Sequence, residues 1–245
     1  MKNSLKLNGN QLKLIAIIAM TIDHVTWFLF PGFQRSWYVI GLHSIGRITA
    51  PIMWFFIAEG SQYTKNHLKY SLRLLIFAVI SHFAYCFAFG LSLGIDGMLN
   101  QTSVMWPLFL ASLLIYILEY IKMTSALKAL IITVFCLLAF PADWSTIAMM
   151  CPVYIYLNRD SRKKQFSNML LWILVYVIIY VLFIDTVYGI LQFATLLSIP
   201  LLSLYDGTRG KAKAPKWFFY YYYPVHLIVM GIARLVVYGD VLLLF

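Results

Sequence analysis

The sequence predicts an all-α fold, a polytopic bundle of helices embedded in a membrane. Three observations carry that prediction: 62% of residues are hydrophobic, only 11% are charged, and the mean hydropathy is +0.81. An ordinary soluble chain carries about 25% charged residues. A compact soluble body of 245 residues could not cover its surface with so few charges. The net charge of +10 does not point to nucleic acid, because the basic residues sit between apolar runs, as they do in the inner loops of membrane proteins.

A spanning helix needs about 20 mostly apolar residues. About nine segments meet or approach this, in the order 12–30, 37–60, 70–92, 103–121, 125–141, 144–157, 168–185, 187–205 and 217–237. The first is too long for a signal-peptide core and no small-residue cleavage site follows it, so a retained helix is expected. The sixth is short and carries Pro152, which predicts a tilted or broken element. Segments 125–141 and 144–157 form either two spans or one re-entrant pair. No repeat, low-complexity tract or soluble domain interrupts the series, and one transmembrane domain over 1–245 is expected.

The charges test this order. Lys2, Lys6 and Lys13 precede or open the first segment, and Lys65, Lys69 and Arg73 follow the second. Lys122 and Lys128 follow the fourth, while Arg159, Arg162, Lys163 and Lys164 follow the sixth. Arg209, Lys211, Lys213 and Lys216 follow the eighth, which brings 16 of the 19 basic residues to one side. Arg35 and Arg234 fall on the other side, and Arg47 lies inside a segment. The positive-inside bias then places the N-terminus in the cytoplasm. Cys86, Cys136 and Cys151 show no C-x-x-C spacing and read as small buried hydrophobes.

Ionisable groups at membrane depth are costly and usually mark function. Asp23 and His24 lie in the first segment, Arg47 in the second, His82 in the third and His226 in the last. At 1.5 Å per residue these groups fall about 14–18 Å from their segment ends, near the middle of a hydrocarbon core about 30 Å thick. A shared polar chamber is therefore expected, with His24 as proton acceptor and His226 as a second acid/base or a positioning group. Neighbours on a helix point about 100° apart, so Asp23 is expected to pair with Arg47 rather than with His24. That pair is either part of a site or a buried ion pair and nothing more. His43 shares a helical face with Arg47 and is read as lining a substrate exit, with His82 and Tyr223 as further substrate contacts. The aromatic run 218–223 reads as an entrance wall or an interfacial belt. The basic loop with Arg209 and Lys211 suits either the phosphates of a cytosolic ligand or simple topology signalling. No His-x-x-x-His or Glu-x-x-His pair occurs, and no metal is expected.

Three stretches then carry a resemblance: Gln11 through Met20 to Ile22-Asp23-His24, Gly46-Arg47 through Pro51 to Glu59-Gly60, and Tyr205-Asp206-Gly207-Thr208-Arg209-Gly210-Lys211 running on to Tyr223-Pro224-Val225-His226-Leu227. Together they resemble the TraX family over nearly the whole chain. That family is associated with acetylation of conjugative pilin. In pattern it is similar to the acyltransferase-3 proteins and to the lysosomal heparan glucosaminide N-acetyltransferase. Those carry a basic residue, ten residues and then histidine on the first helix, which Lys13 and His24 match. The RxxR pattern of acyltransferase-3 proteins is not reproduced, since Lys69 and Arg73 are four apart.

The resemblance implies an acyl-CoA-dependent acetyltransferase of the bacterial inner membrane, taking acetyl-CoA from the cytosol. Its acceptor would be an amine or hydroxyl of a pilin-like peptide, a sugar or a small amine. It implies Lys13 near the donor phosphates, with Lys69, Arg73, Arg209 and Lys211 as further contacts, and His24 at the acyl carbonyl. Arg47 would stabilise the oxyanion. The reading from another class is a proton-coupled transporter or flippase using the same groups as a relay.

Overall fold

The computed structural model describes residues 6–92, 100–210 and 217–239. Within them the secondary structure is helical: α1 (Gly9–Leu29), α2 (Trp37–Gly46), α3 (Thr49–Tyr63), α4 (His67–Phe89), α5 (Met105–Tyr120), α6 (Ser125–Ala139), α7 (Ser145–Leu157), α8 (Arg162–Phe183), α9 (Thr186–Leu191), a 3₁₀ stretch Gln192–Leu197, α10 (Ser198–Ser203) and α11 (Phe218–Tyr238). Among the described residues, six segments are long and apolar enough to cross a membrane: Gly9–Leu29, Trp37–Tyr63, His67–Phe89, Arg162–Phe183, Thr186–Ser203 and Phe218–Tyr238. The apolar helices α5, α6 and α7 are shorter, at 16, 15 and 13 residues. Each of the nine expected segments is thus helical, and six of them reach spanning length.

The chain forms two compact units, 1–56 with 161–215, and 57–160 with 216–245. In the first, α1 begins at a capping box: the Asn8 side chain accepts from the Gln11 N–H, and the Gln11 side chain accepts from the Asn8 N–H. The span Trp37–Tyr63 is not one continuous helix. α2 ends at Gly46, the Ile48 N–H reaches back only three residues to the Ile45 carbonyl, and α3 restarts at Thr49. Pro51 then falls in the first turn of α3, where a missing N–H breaks no helical hydrogen bond. Sequence reading places Arg47 inside a helix, whereas the structure places it at this joint. The span Thr186–Ser203 is also jointed, α9 passing through the 3₁₀ stretch into α10. The turn between α8 and α9 is close-packed, because Gly189 lies against Val181.

In the second unit α4 packs along both α5 and α11, and α5 packs against α7. Hydroxyls tie the helices together: Ser71 and Ser112 lie 2.8 Å apart between α4 and α5. Gly231 lets α11 approach Phe87 of α4. The indole N–H of Trp106 donates to the Leu138 carbonyl at 2.9 Å, which ties α5 to α6. All three cysteines are free thiols, and Cys86 and Cys151 are buried.

Candidate functional site

In the first unit a buried polar cluster forms around Asp23 of α1. Asp23 is 9% exposed and His43 is fully buried. The Arg47 Nη2 donates to both carboxylate oxygens of Asp23, at 2.8 and 2.6 Å. His43 Nδ1 lies 2.7 Å from Asp23 Oδ1. The i, i+4 spacing of His43 and Arg47 on one face of α2 aims both at the same carboxylate. Gly46 makes the approach possible, since any Cβ at that position would run into the Asp23 side chain. The expected Asp23–Arg47 pairing is therefore present, and His43 joins the same carboxylate.

Aromatic rings close over His43. Its ring centroid is 4.6 Å from Trp27 and 5.7 Å from Tyr188 of α9. Phe33 packs edge-on against both, and the Tyr188 hydroxyl donates to the Gln34 carbonyl at 2.9 Å. The same connection is held by an ion pair of 3.2 Å between Arg35 and Asp185, the cap of α9. The Tyr188 N–H and the Arg35 guanidinium hold the Asp185 carboxyl below the usual carboxylate range. His24, beside Asp23 in sequence, is half-buried.

At the start of α1 the same unit carries a second polar region. Residues 204–210 run alongside residues 7–10, with an isolated parallel bridge between Leu7 and Tyr205. The Leu7 N–H donates to the Leu204 carbonyl at 2.9 Å, the Asp206 N–H donates to the Leu7 carbonyl at 3.0 Å, and the Gly9 and Asn10 N–H groups donate to the carbonyls of Thr208 and Arg209. These carbonyls occupy donors that the first turn of a helix otherwise leaves open. Asp206 accepts from the Thr208 N–H and hydroxyl at 2.7 and 2.8 Å, which lowers its pKa. Lys13 lies over the Phe56 ring, and Arg162 over Phe55 and Tyr205. Arg162 counted in the sequence only as a loop charge, since nothing in the linear order places it near Tyr205. Arg209 is exposed, and Lys211 lies outside the described residues.

The remaining predicted residues belong to the second unit. His82 Nδ1 is 3.0 Å from the Thr102 hydroxyl, and Cys86 Sγ is 3.8 Å from its ring. His226 Nδ1 donates to the Tyr222 carbonyl at 3.0 Å, with its ring stacked on Tyr222 and edge-on to the buried Tyr223. Lys69 is exposed, and Arg73 is half-buried over the Tyr70 ring.

Comparison with known proteins comes down on one family. The TraX protein family matches residues 8–234. A curated protein of Dichelobacter nodosus, described as a probable fimbrial assembly protein FimC of serogroup H1, is 30% identical over 245 residues, 96% of this chain and 99% of its own. No solved structure matches.

Proposed function

The chain belongs to the TraX family, and on that footing we propose that it is a membrane-embedded acetyltransferase serving pilus or conjugation-related assembly. It moves an acetyl group from cytosolic acetyl-CoA to an amine or hydroxyl of a pilin-like peptide. The observation that carries this reading is the cluster of Asp23, His43 and Arg47, fixed by three contacts of 2.6–2.8 Å inside an apolar unit. A passive assembly scaffold has no use for charged groups held there at a cost of several kcal/mol of desolvation. The relative from Dichelobacter nodosus, named for fimbrial assembly, supports the pilus setting.

The donor enters from the inner side, near Lys13, Arg162 and Arg209, whose charges suit phosphates. The rings of Phe55, Phe56 and Tyr205, packed edge to face, form an apolar floor beneath the Lys13 and Arg162 charges. The shorter helices α5 to α7 complete about nine membrane passes, with the N-terminus in the cytoplasm of a bacterial inner membrane, as the distribution of basic residues supports.

The test is incubation of the purified protein with labelled acetyl-CoA and a peptide bearing a free N-terminal amine. Thiol release together with a labelled peptide is expected. No transfer to amine or hydroxyl acceptors would overturn the reading.

A further inference from the structure

We propose that His43 is the general base of this site, with Asp23 as its positioning residue. This rests on the acetyl-transfer reading and assigns it a proton acceptor. The two oxygens of Asp23 are held by Arg47 at 2.8 and 2.6 Å, the arrangement of an ionised carboxylate beside a guanidinium. An ionised carboxylate only accepts hydrogen bonds. The 2.7 Å contact from His43 therefore requires the proton on Nδ1. In a neutral imidazole that leaves the lone pair on Nε2.

His43 Nε2 is buried and makes no hydrogen bond. A buried polar atom without a partner is uncommon, and each instance asks for an explanation. Here the atom left unpaired is the one that can take a proton, and its orientation is fixed from the other side of the ring. The groups facing the imidazole are Asp23 and Trp27 from α1, Arg47 from the α2–α3 joint and Tyr188 from α9. Among these the carboxylate is the acceptor, and it also stabilises the imidazolium once formed. The rings of Trp27 and Tyr188 pack against the imidazole.

The acceptor nitrogen, as a neutral amine, attacks the carbonyl carbon of the acyl thioester and forms the N–C bond. Its proton passes to His43 Nε2. The C–S bond breaks, and the departing thiolate takes that proton back as the free thiol. An acceptor that begins as ammonium releases one further proton to solvent.

The experiment compares unmodified protein with His43→Gln in thiol release from acetyl-CoA across pH, using a peptide amine acceptor. A general base contributes about 10²–10⁴-fold. The expected result is a loss of about that size in kcat, with KM for acetyl-CoA little changed. The acid-side fall of the pH profile should disappear in the variant, and added imidazole should restore part of the rate. A second readout is independent of the variant's folding: nitrogen NMR of histidine-labelled unmodified protein should find one fully buried imidazole as the Nδ1–H tautomer. Equal activity and an unchanged profile in His43→Gln would overturn the role, as would the Nε2–H tautomer at His43. Absence of transfer in the unmodified protein would instead refute the acetyl-transfer reading itself.

Discussion

The approach of α2 to Asp23 can be probed with one methyl group. Gly46 and Gly41 lie on the same helix, but a Cβ at Gly41 meets nothing within 4 Å. At Gly46 it would overlap the Asp23 Cβ and stand 2.6 Å from both Cγ and Oδ1. Ordinary contact begins at 3.4 Å, so Asp23 and α2 must separate by at least about 0.8 Å. Such a shift takes the 2.7 Å His43 contact to about 3.5 Å, the limit of a hydrogen bond. Overpacking of this kind costs about 1–3 kcal/mol, and the weakened charged hydrogen bonds add about 1.5–3 kcal/mol. Gly41→Ala should instead be neutral or stabilise by up to about 1 kcal/mol through helix propensity. Thermal unfolding in one detergent, with acetyl transfer measured alongside, reads both effects. Gly46→Ala is expected to melt clearly below Gly41→Ala and to lose activity. Equal melting temperatures and equal activity would refute the close contact between α2 and Asp23.

Other expectations follow from particular contacts. Tyr188→Phe removes the hydroxyl that donates to the Gln34 carbonyl. It should cost about 0.5–1.5 kcal/mol in thermal stability. Its larger effect should be faster hydrogen exchange in the 30–36 connection. Asp206 has a carboxyl pKa held low by Thr208. Its contribution is therefore complete above the ordinary carboxyl range of about 4 and is lost as pH falls through the lowered value. Exchange at the Gly9 and Asn10 amides, corrected for intrinsic pH dependence, should accelerate on acidification, and this acid response should flatten in Asp206→Asn.

The apolar segments were legible because spanning length and charge punctuation are properties of the linear order. The joints were less so. The restart of α3 at Thr49 is accompanied by its hydroxyl donating to the Ala16 carbonyl at 3.0 Å, a contact between helices that the linear order does not show. The pairing of Asp23 with Arg47 was legible from depth and from the 100° step between Asp23 and His24. The contact of His43 with Asp23 was within reach: the same i, i+4 face that carries Arg47 carries His43, and both meet one carboxylate. Depth says nothing of rotation about a helix axis or of which helices pack together. His82 and His226 were grouped with Asp23 by level alone, and the structure gives each its own partners in the second unit. The setting of Arg162 was illegible, because its neighbours Phe55 and Tyr205 are distant in sequence.

The account depends on Asp23 acting through His43, and a double-mutant cycle on the rate of acetyl transfer tests this most directly. Asp23→Asn, His43→Gln and the double variant are each compared with unmodified protein, with folding of each confirmed by size exclusion in detergent. If Asp23 works by holding His43, removing both should cost little more than removing His43 alone, as for groups that act as a unit. Losses that multiply, so that the double variant falls by the product of the two single effects, would contradict it.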